Sequence, residues 1–170
     1  MKTLLTALLF ILSTTLIQAQ EANKNAITSF YFIRHAEKNT SNPSSKDPNL
    51  ITEGILRAAR WSSVLEHISF ESIYSTDYNR TRNTAHPIAE KKNLPLTLYS
   101  PKNFDQRAFK KENRGKTVLI VGHSNTVPSM VNAFIGQDLY KQIDDANYSN
   151  LYIINITESG EIIHQLLAID

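Results

Sequence analysis

The chain has 170 residues, 41% of them hydrophobic, so it can bury the core of one domain and is not typical of a disordered protein. Its formal net charge of +2 excludes the strong electrostatic attraction on which many nucleic-acid-binding and membrane-surface proteins depend. It has no cysteine, so it has neither a lipid-acceptor cysteine nor a disulfide framework, and the apolar core must stabilise the fold.

The N-terminal residues have the pattern of a secretory signal peptide. Met1-Lys2 gives a short positive start, residues 4–17 are apolar apart from Ser and Thr, and Ala19 ends a candidate cleavage site. The apolar stretch is shorter than the roughly 18–20 residues that span a bilayer, which disfavours the alternative of an uncleaved anchor. The mature protein is therefore expected to be exported, either periplasmic or secreted, without stable membrane insertion. The predicted division of the chain is a signal peptide at 1–19, a polar lead-in at 20–28 and a folded domain at 29–170.

Short apolar runs alternate with amphipathic segments along the folded part of the chain. The predicted strands lie at 30–35, 72–75, 96–99, 117–121, 151–156 and 161–169, and the predicted helices follow Thr52, carry Arg80, and cover 104–113 and 125–134. This alternation predicts an α/β three-layer sandwich, with a mostly parallel sheet and helices on both faces. The turn at Glu158-Ser159-Gly160 predicts an antiparallel hairpin at the C-terminal edge of the sheet.

The first helix is predicted to begin with Thr52 as its N-cap. The spacing of its apolar residues predicts one buried face, with Trp61 in or beside it. That face comprises Ile55, Leu56, Ala59, Val64 and Leu65.

Two histidines directly follow short apolar runs. The first run is Phe30-Tyr31-Phe32-Ile33-Arg34, followed by His35, and the second is Val118-Leu119-Ile120-Val121-Gly122, followed by His123. Both runs are typical of buried parallel strands, so each imidazole should lie at the carboxyl end of a strand. Ligands bind at that edge of open α/β sheets, which makes the pair a candidate site.

Arginines between and beside these histidines indicate an anionic ligand. Arg80 and Arg82 lie in the first turns of a predicted helix, where free backbone N–H groups already favour an anion. The guanidinium group adds donors that match phosphate oxygens. We therefore expect Arg34, Arg80 and the two histidines to bind one phosphoryl group, whereas Arg82, two residues from Arg80, points elsewhere on the helix and has a structural or rim role.

The same segments resemble those of the histidine phosphatase superfamily, whose fold is that of phosphoglycerate mutase. The residues Arg34-His35-Ala36-Glu37 resemble its Arg-His-Gly-Glu signature. The segment from Ser75 to Ala85 is similar to its Ser-x-x-x-x-Arg-(Ala/Thr)-x-x-Thr-Ala motif, and Gly122-His123-Ser124 resembles the segment that carries its second histidine. Residues 50–58 are similar to its Leu-(Ser/Thr)-x-x-Gly-x-x-x-Ala helix start. The resemblance implies a small, exported, single-domain bacterial member.

This resemblance, taken with the residues, predicts a phosphatase that works through a phosphohistidine and needs no metal or other cofactor. His35 would be the nucleophile, and Arg34, Arg80 and His123 would bind the phosphoryl group and stabilise its charge in the transition state. The leaving group also needs a proton, and the sequence offers two candidates for the general acid, Glu37 and Asp105. The choice between them stays open at this point.

The predicted substrates are phosphomonoesters or phosphoramidates, carried by a phosphorylated small molecule or an envelope component, with no nucleic acid as partner. A phosphatase is favoured over a mutase because the short chain has few segments that could close the site against water. Two alternatives remain: a metal-dependent hydrolase using His35, Glu37 and His123, and a non-catalytic module that binds a phosphate ligand. The sequence does not indicate an oligomeric state.

Overall fold

The computed structural model describes residues 27–169, which form one six-stranded sheet flanked by helices. The predicted signal peptide and most of the polar lead-in lie outside the described residues. The strands are β1 (Thr28–Arg34), β2 (Ser72–Thr76), β3 (Leu96–Tyr99), β4 (Thr117–Gly122), β5 (Asn150–Ile156) and β6 (Ile162–Ala168). The helices are α1 (Thr52–Val64), α2 (Asn79–Lys92), α3 (Gln106–Glu112) and α4 (Thr126–Ile135), with a short 3₁₀ turn, Pro101–Asn103, before α3.

The strand order is β3-β2-β4-β1-β5-β6. The first four strands in this order are parallel to one another, whereas β5 runs antiparallel to β1 and β6 antiparallel to β5. The carboxyl ends of β2, β4 and β1 therefore meet at one edge, with Arg34 beside Gly122 in the register. The predicted α/β sandwich with an antiparallel C-terminal edge is confirmed.

Alternate residues of β1 enter two separate cores, one on each face of the sheet. Phe30 and Phe32 pack with α3 and α4, and the ring of Phe30 meets that of Phe134 edge-on at 4.9 Å between centroids. Ile33 packs on the opposite face with α1 and α2, where Trp61 is buried. Burial on both faces explains why the strand reads as a continuous apolar run.

Helix α1 packs through a face that only partly matches the one the sequence predicts. Ile55, Leu56 and Val64 are exposed, and the helix instead packs through a set that includes small residues. The buried set is Gly54, Ala58, Trp61 and Ser62. The small side chains let α1 lie close to α2, where the hydroxyl of Ser62 donates to the carbonyl of Pro87 at 3.0 Å. The prediction is confirmed for Leu65 and Trp61, which are both buried, and was wrong for Ile55, Leu56, Ala59 and Val64, because close helix–helix contact favours small side chains over bulky ones.

The helix starts also differ from the predicted ones by one or two residues. Thr52 is the first residue of α1, and Ile51 stands at its N-cap with no side-chain capping bond. The predicted helix at 104–113 begins only at Gln106, because the Asp105 side chain accepts hydrogen bonds from the backbone at its start. No helix within residues 27–169 combines the length and apolar character needed to cross a bilayer.

Candidate active site

The two predicted histidines meet at the carboxyl edge of the sheet. His35 directly follows β1 and His123 directly follows β4, and the two strands are adjacent and parallel. The backbone N–H of His35 donates to the carbonyl of Gly122 at 2.9 Å, which ties the two strand ends together. The imidazole ring centroids are 5.4 Å apart, so both rings can contact one small ligand.

His35 is held as a neutral imidazole with one nitrogen free. Its Nδ1 lies 2.7 Å from the carbonyl oxygen of Ala36. A carbonyl can only accept, so Nδ1 carries the proton and Nε2 keeps its lone pair. Burial lowers the pKa of His35 to about 3, and the positive charges of Arg34 and Arg80 act in the same direction. The ring therefore presents an unprotonated nitrogen at neutral pH.

His123 is positioned through both of its ring nitrogens. Nε2 lies 2.9 Å from Oγ1 of Thr76, at the end of β2, and Nδ1 lies 3.4 Å from Nη2 of Arg80. Burial lowers the pKa of His123 to about 4, with Arg80 as the next cause. The ring of Tyr78 packs edge-on against the imidazole at 5.2 Å between centroids. This histidine is also neutral at pH 7.

Arg80 extends from the first turn of α2 to the two histidines. Its Nη1 lies 3.6 Å from Oδ1 of Asp47, and its guanidinium carbon lies 4.3 Å from the centre of the Tyr78 ring. The Nε and Nη1 atoms of Arg80 are buried and have no hydrogen-bond partner among residues 27–169. Buried donors of this kind are costly unless a ligand supplies an acceptor, which indicates an anion site.

Arg34 both binds the connection after α4 and lines the site. Its Nη1 donates to three backbone carbonyls of the connection after α4, those of Asp144 at 2.9 Å, Asp145 at 3.1 Å and Asn147 at 2.8 Å. The guanidinium also packs over the ring of Tyr148 at 4.2 Å, and its Nε is buried with no hydrogen-bond partner in the described part of the chain. Arg34 thus anchors this connection while it lines the site, a role the sequence did not indicate.

These groups line one cavity of about 730 Å³ at the strand ends. Its lining includes both histidines and four cationic side chains, those of Arg34, Lys38, Arg80 and Lys102. The two lining carboxylates, Asp77 and Asp145, have side chains that are 69% and 89% exposed. Asp77 forms an ion pair with Arg82. Arg82 is not among the described residues that line the cavity, in agreement with its position two residues from Arg80 on the helix. The cavity is therefore suited to a small anion bound among cations.

The structure places neither predicted general acid on this cavity. The Glu37 carboxylate turns towards α1, where it accepts from Nε of Arg57 at 2.7 Å. The Asp105 carboxylate accepts from the backbone N–H groups of Arg107 and Ala108 at 2.9 and 3.1 Å and so caps α3. Each carboxylate is occupied by a local structural partner, and that corrects the expectation that one of them faces the reacting group.

Sequence reasoning missed several residues that support the site. Thr84 accepts from the backbone N–H of Ala36 at 2.9 Å and donates to the carbonyl of Arg80 at 2.7 Å, which joins the turn after His35 to α2. The motif from Ser75 to Ala85 contains both Thr76 and Thr84, so a close reading of that motif could have found them. Asp47 and Tyr148 lie in irregular segments and carry no such signal.

The three residues of the metal alternative, His35, Glu37 and His123, do not form one cluster, because Glu37 lies apart from the two histidines. Within residues 27–169, no group of three or more His, Cys, Asp or Glu side chains is arranged to hold a metal ion. Glu37, the carboxylate that this alternative requires, pairs with Arg57 instead.

Comparisons with known proteins agree with this geometry. Residues 30–100 match the family model of the histidine phosphatase superfamily (branch 1). No curated protein matches the sequence. Bacillus stearothermophilus YhfR shares 16% identity and superposes with a TM-score of 0.65, over 84% of this chain and 97% of that chain.

Two further structures share the fold. The protein histidine phosphatase SixA in complex with tungstate shares 16% identity, with a TM-score of 0.64 over 82% of this chain and 96% of that chain. An Entamoeba histolytica phosphoserine phosphatase in complex with 3-phosphoglyceric acid also shares 16% identity, with a TM-score of 0.62 over 81% and 94%. At such identities the structural likeness shows the fold.

Proposed function

We propose that the chain, whose residues 30–100 match the family model of the histidine phosphatase superfamily (branch 1), is a member of that superfamily and hydrolyses phosphomonoesters or phosphoramidates through a covalent phosphohistidine at His35. One observation carries this proposal. A neutral imidazole with a free Nε2, a second imidazole and two guanidinium groups with unpaired N–H groups all line the same cavity. This combination supplies a nucleophile and donors for the phosphoryl oxygens.

The first step forms the phosphohistidine. The Nε2 lone pair of His35 attacks phosphorus, the bond from phosphorus to the leaving group breaks, and the leaving group departs with the electron pair. The Nδ1–H bond to Ala36 remains and stabilises the positive charge that develops on the ring. The N–H groups of Arg80 contact the phosphoryl oxygens, and a preorganised donor of this kind typically contributes about 3 kcal/mol to the transition state.

The second step releases phosphate. Water attacks phosphorus, the bond between phosphorus and Nε2 breaks, and the imidazole returns to its neutral form. The proton from the attacking water leaves with inorganic phosphate or solvent. Arg80 contacts the same oxygens in both steps, and His123, whose Nδ1 lies 3.4 Å from Nη2 of Arg80, orients the guanidinium group.

Trapping of the covalent intermediate tests this proposal. Incubation with a ³²P-labelled phosphoryl donor should leave an adduct on His35 that acid removes and alkali does not, as a phosphoramidate requires. The His35→Ala variant should lose both the adduct and turnover while it keeps the circular dichroism spectrum of the wild type. His86→Ala, at an exposed position on α2, is the matched control and should keep both. Turnover by His35→Ala at the wild-type rate would refute the assignment.

A non-catalytic phosphate-binding module is the second candidate, because neither Glu37 nor Asp105 lines the cavity. Vanadate and phosphate would raise the melting temperature of such a module, with no hydrolysis of p-nitrophenyl phosphate. Hydrolysis together with vanadate inhibition supports the phosphatase.

We also propose that the mature protein acts outside the cytoplasm, on a phosphorylated small molecule or an envelope component. The pattern of residues 1–19 supports this location. Cell fractionation and N-terminal sequencing of the mature protein test it. A full-length protein in the cytoplasmic fraction would contradict it.

A further inference from the structure

A second cavity opens beside the phosphoryl site. It has a volume of about 430 Å³ and lies between the segment that leads into α3 and the exposed side of α4. The two cavities share three lining residues, Pro101, Asn125 and Thr126. We call this second cavity the α3–α4 groove. A substrate with its phosphate among the histidines can therefore extend directly into it.

The lining of the α3–α4 groove is chemically unlike that of the phosphoryl cavity. Phe104 is partly exposed and the buried side chains of Met130 and Phe134 form the base of the groove, where the rings of Phe104 and Phe134 are nearly parallel, at 20° and 6.3 Å between centroids. None of the described residues that line the groove is charged. Such a wall favours a flat, apolar group over a sugar or a carboxylate.

One polar atom in the groove lacks a partner. The side-chain oxygen of Gln106 is buried and accepts no hydrogen bond from the rest of the described chain. Leaving a buried acceptor unpaired is costly, so a ligand that supplies an O–H or N–H group at this point gains affinity. This requirement is independent of the apolar wall and points to a ligand with a donor at its far end.

The lining of the phosphoryl cavity also favours an aromatic leaving group, because it limits how basic the leaving oxygen can be. Its two carboxylates, Asp77 and Asp145, are largely exposed, and each is close to an arginine. Among the described residues that line the cavity, none is therefore a buried acid that could protonate a strongly basic alkoxide. A phenolic oxygen is far less basic than an alkoxide and leaves without such help.

We propose that the α3–α4 groove binds the leaving group of the substrate, and that this leaving group is aromatic with a hydrogen-bond donor distal to its phosphate. The inference rests on the proposed phosphatase function and narrows its substrates to aryl phosphomonoesters. The ring contacts Phe104 and Met130, and the distal donor pairs with the Gln106 oxygen.

Non-hydrolysable phosphonates test the groove by binding alone. Their affinities do not depend on how readily a leaving group departs, as the turnover rates of phosphate esters do. The probes are methylphosphonate and 1-naphthylmethylphosphonate, measured as competitive inhibitors and by thermal shift. The naphthyl compound should bind about tenfold or more tightly than the methyl compound, since only its ring buries apolar surface in the groove. Equal affinity of the two compounds would overturn the proposal.

Groove variants localise the effect. Ala133→Trp, at an exposed position in the groove wall, should raise the inhibition constant of the naphthyl compound about tenfold and leave that of vanadate unchanged. Ala108→Trp, at an exposed position on α3 outside the groove, is the matched control and should change neither. Gln106→Met should weaken a hydroxyl-substituted naphthyl phosphonate and not the unsubstituted one. An equal effect of Ala133→Trp on both inhibitors would contradict the groove assignment.

The thermal-shift measurement distinguishes failure of the phosphatase function from failure of the groove assignment. If the protein forms no phosphohistidine but still prefers the naphthyl phosphonate, the phosphatase function fails while the groove assignment holds. If it forms the phosphohistidine without that preference, the groove assignment fails alone.

Discussion

Nε2 of His123 lies 2.9 Å from Oγ1 of Thr76, and this contact fixes the protonation of the second histidine. The Thr76 hydroxyl donates to Oγ1 of Thr81, which in turn donates to a backbone carbonyl. The Thr76 proton is therefore used, so its oxygen accepts from Nε2–H of His123. Nδ1 is then the acceptor that faces the Arg80 guanidinium.

Removal of the Thr76 hydroxyl should lower kcat. Thr76→Val deletes the acceptor for Nε2–H and frees the His123 ring to rotate or change tautomer. A hydrogen bond of this kind is worth about 1 kcal/mol, so we expect kcat to fall about fivefold to tenfold, with a smaller change in KM. Steady-state kinetics on p-nitrophenyl phosphate measure this effect. Thr76→Ser keeps the hydroxyl and should retain most of the activity, and an equal loss in both variants would show that the hydroxyl is not responsible.

Acid should destabilise the protein through His35, which is buried, and His123, which is half-buried. Their pKa values, about 3 for His35 and about 4 for His123, lie below the ordinary value of about 6.5. As the pH falls from about 6.5 to about 4, the unfolded chain binds protons that the folded chain does not, so the free energy of unfolding decreases. Each histidine contributes a slope of at most about 1.4 kcal/mol per pH unit.

Urea unfolding at about pH 7 and about pH 5 measures this slope. His35→Asn removes one titrating group and should reduce the loss of stability between the two conditions. His86 is exposed, so His86→Asn should leave the pH dependence of the wild type intact. An unchanged dependence in His35→Asn would show that this histidine is not held neutral by the fold.

Asp47 connects the loop after β1 to the phosphoryl site. Its Oδ1 accepts from the backbone N–H of Asn79 at 2.8 Å and lies 3.6 Å from Nη1 of Arg80. Asp47→Ala removes a charged acceptor at the start of α2, so we expect the free energy of unfolding to fall by about 1 kcal/mol. Chemical denaturation measures it.

The isosteric variant separates the two roles of Asp47. Asp47→Asn keeps an acceptor for Asn79 and should lose less stability than Asp47→Ala. It also removes a negative charge beside Arg80, so inorganic phosphate should inhibit about threefold more strongly than in the wild type. Weaker phosphate inhibition in Asp47→Asn would indicate instead that the carboxylate is needed to hold Arg80 in place.

The sequence predicted the site better where the chain is regular than where it is not. His35, His123 and Arg80 follow strands or start a helix, so their convergence could be inferred from the direction of parallel strands. Glu37 and Asp105 could not be placed correctly, because the choice between the cavity and a local partner depends on side-chain direction. The Glu37 carboxylate pairs with Arg57, and the Asp105 carboxylate caps the start of α3.

The contacts of Tyr148 and Asp47 follow from tertiary structure alone. Both residues lie in irregular segments with no periodic pattern, and each reaches the site across the fold. Tyr148 stacks on Arg34, 114 positions earlier in the chain by their numbers, and Asp47 pairs with Arg80. The apolar face of α1 was misjudged for a related reason, since close contact with α2 depends on the partner helix as much as on α1 itself.

Gly54 sets the approach of α1 to the turn that holds His35. A Cβ atom on Gly54 would lie 2.2 Å from the carbonyl oxygen of Glu37, two residues after His35. The same oxygen accepts from the backbone N–H of Ile51 at 3.1 Å, so it cannot move away without breaking that bond. In an unconstrained helix Gly→Ala stabilises by about 1 kcal/mol, whereas here the clash with backbone should reverse the sign.

We therefore expect Gly54→Ala to lower the free energy of unfolding by about 2 kcal/mol and to reduce kcat, since relief of the clash displaces the turn beside the nucleophile. Gly160→Ala is the control: Gly160 has φ +88° with no atom within 4 Å of an added Cβ, in the hairpin between β5 and β6. That variant should cost about 1 kcal/mol through its backbone conformation alone and leave kcat unchanged. Urea denaturation and steady-state kinetics on both variants measure these effects. Wild-type turnover in Gly54→Ala would show that the position of His35 does not depend on the packing of α1.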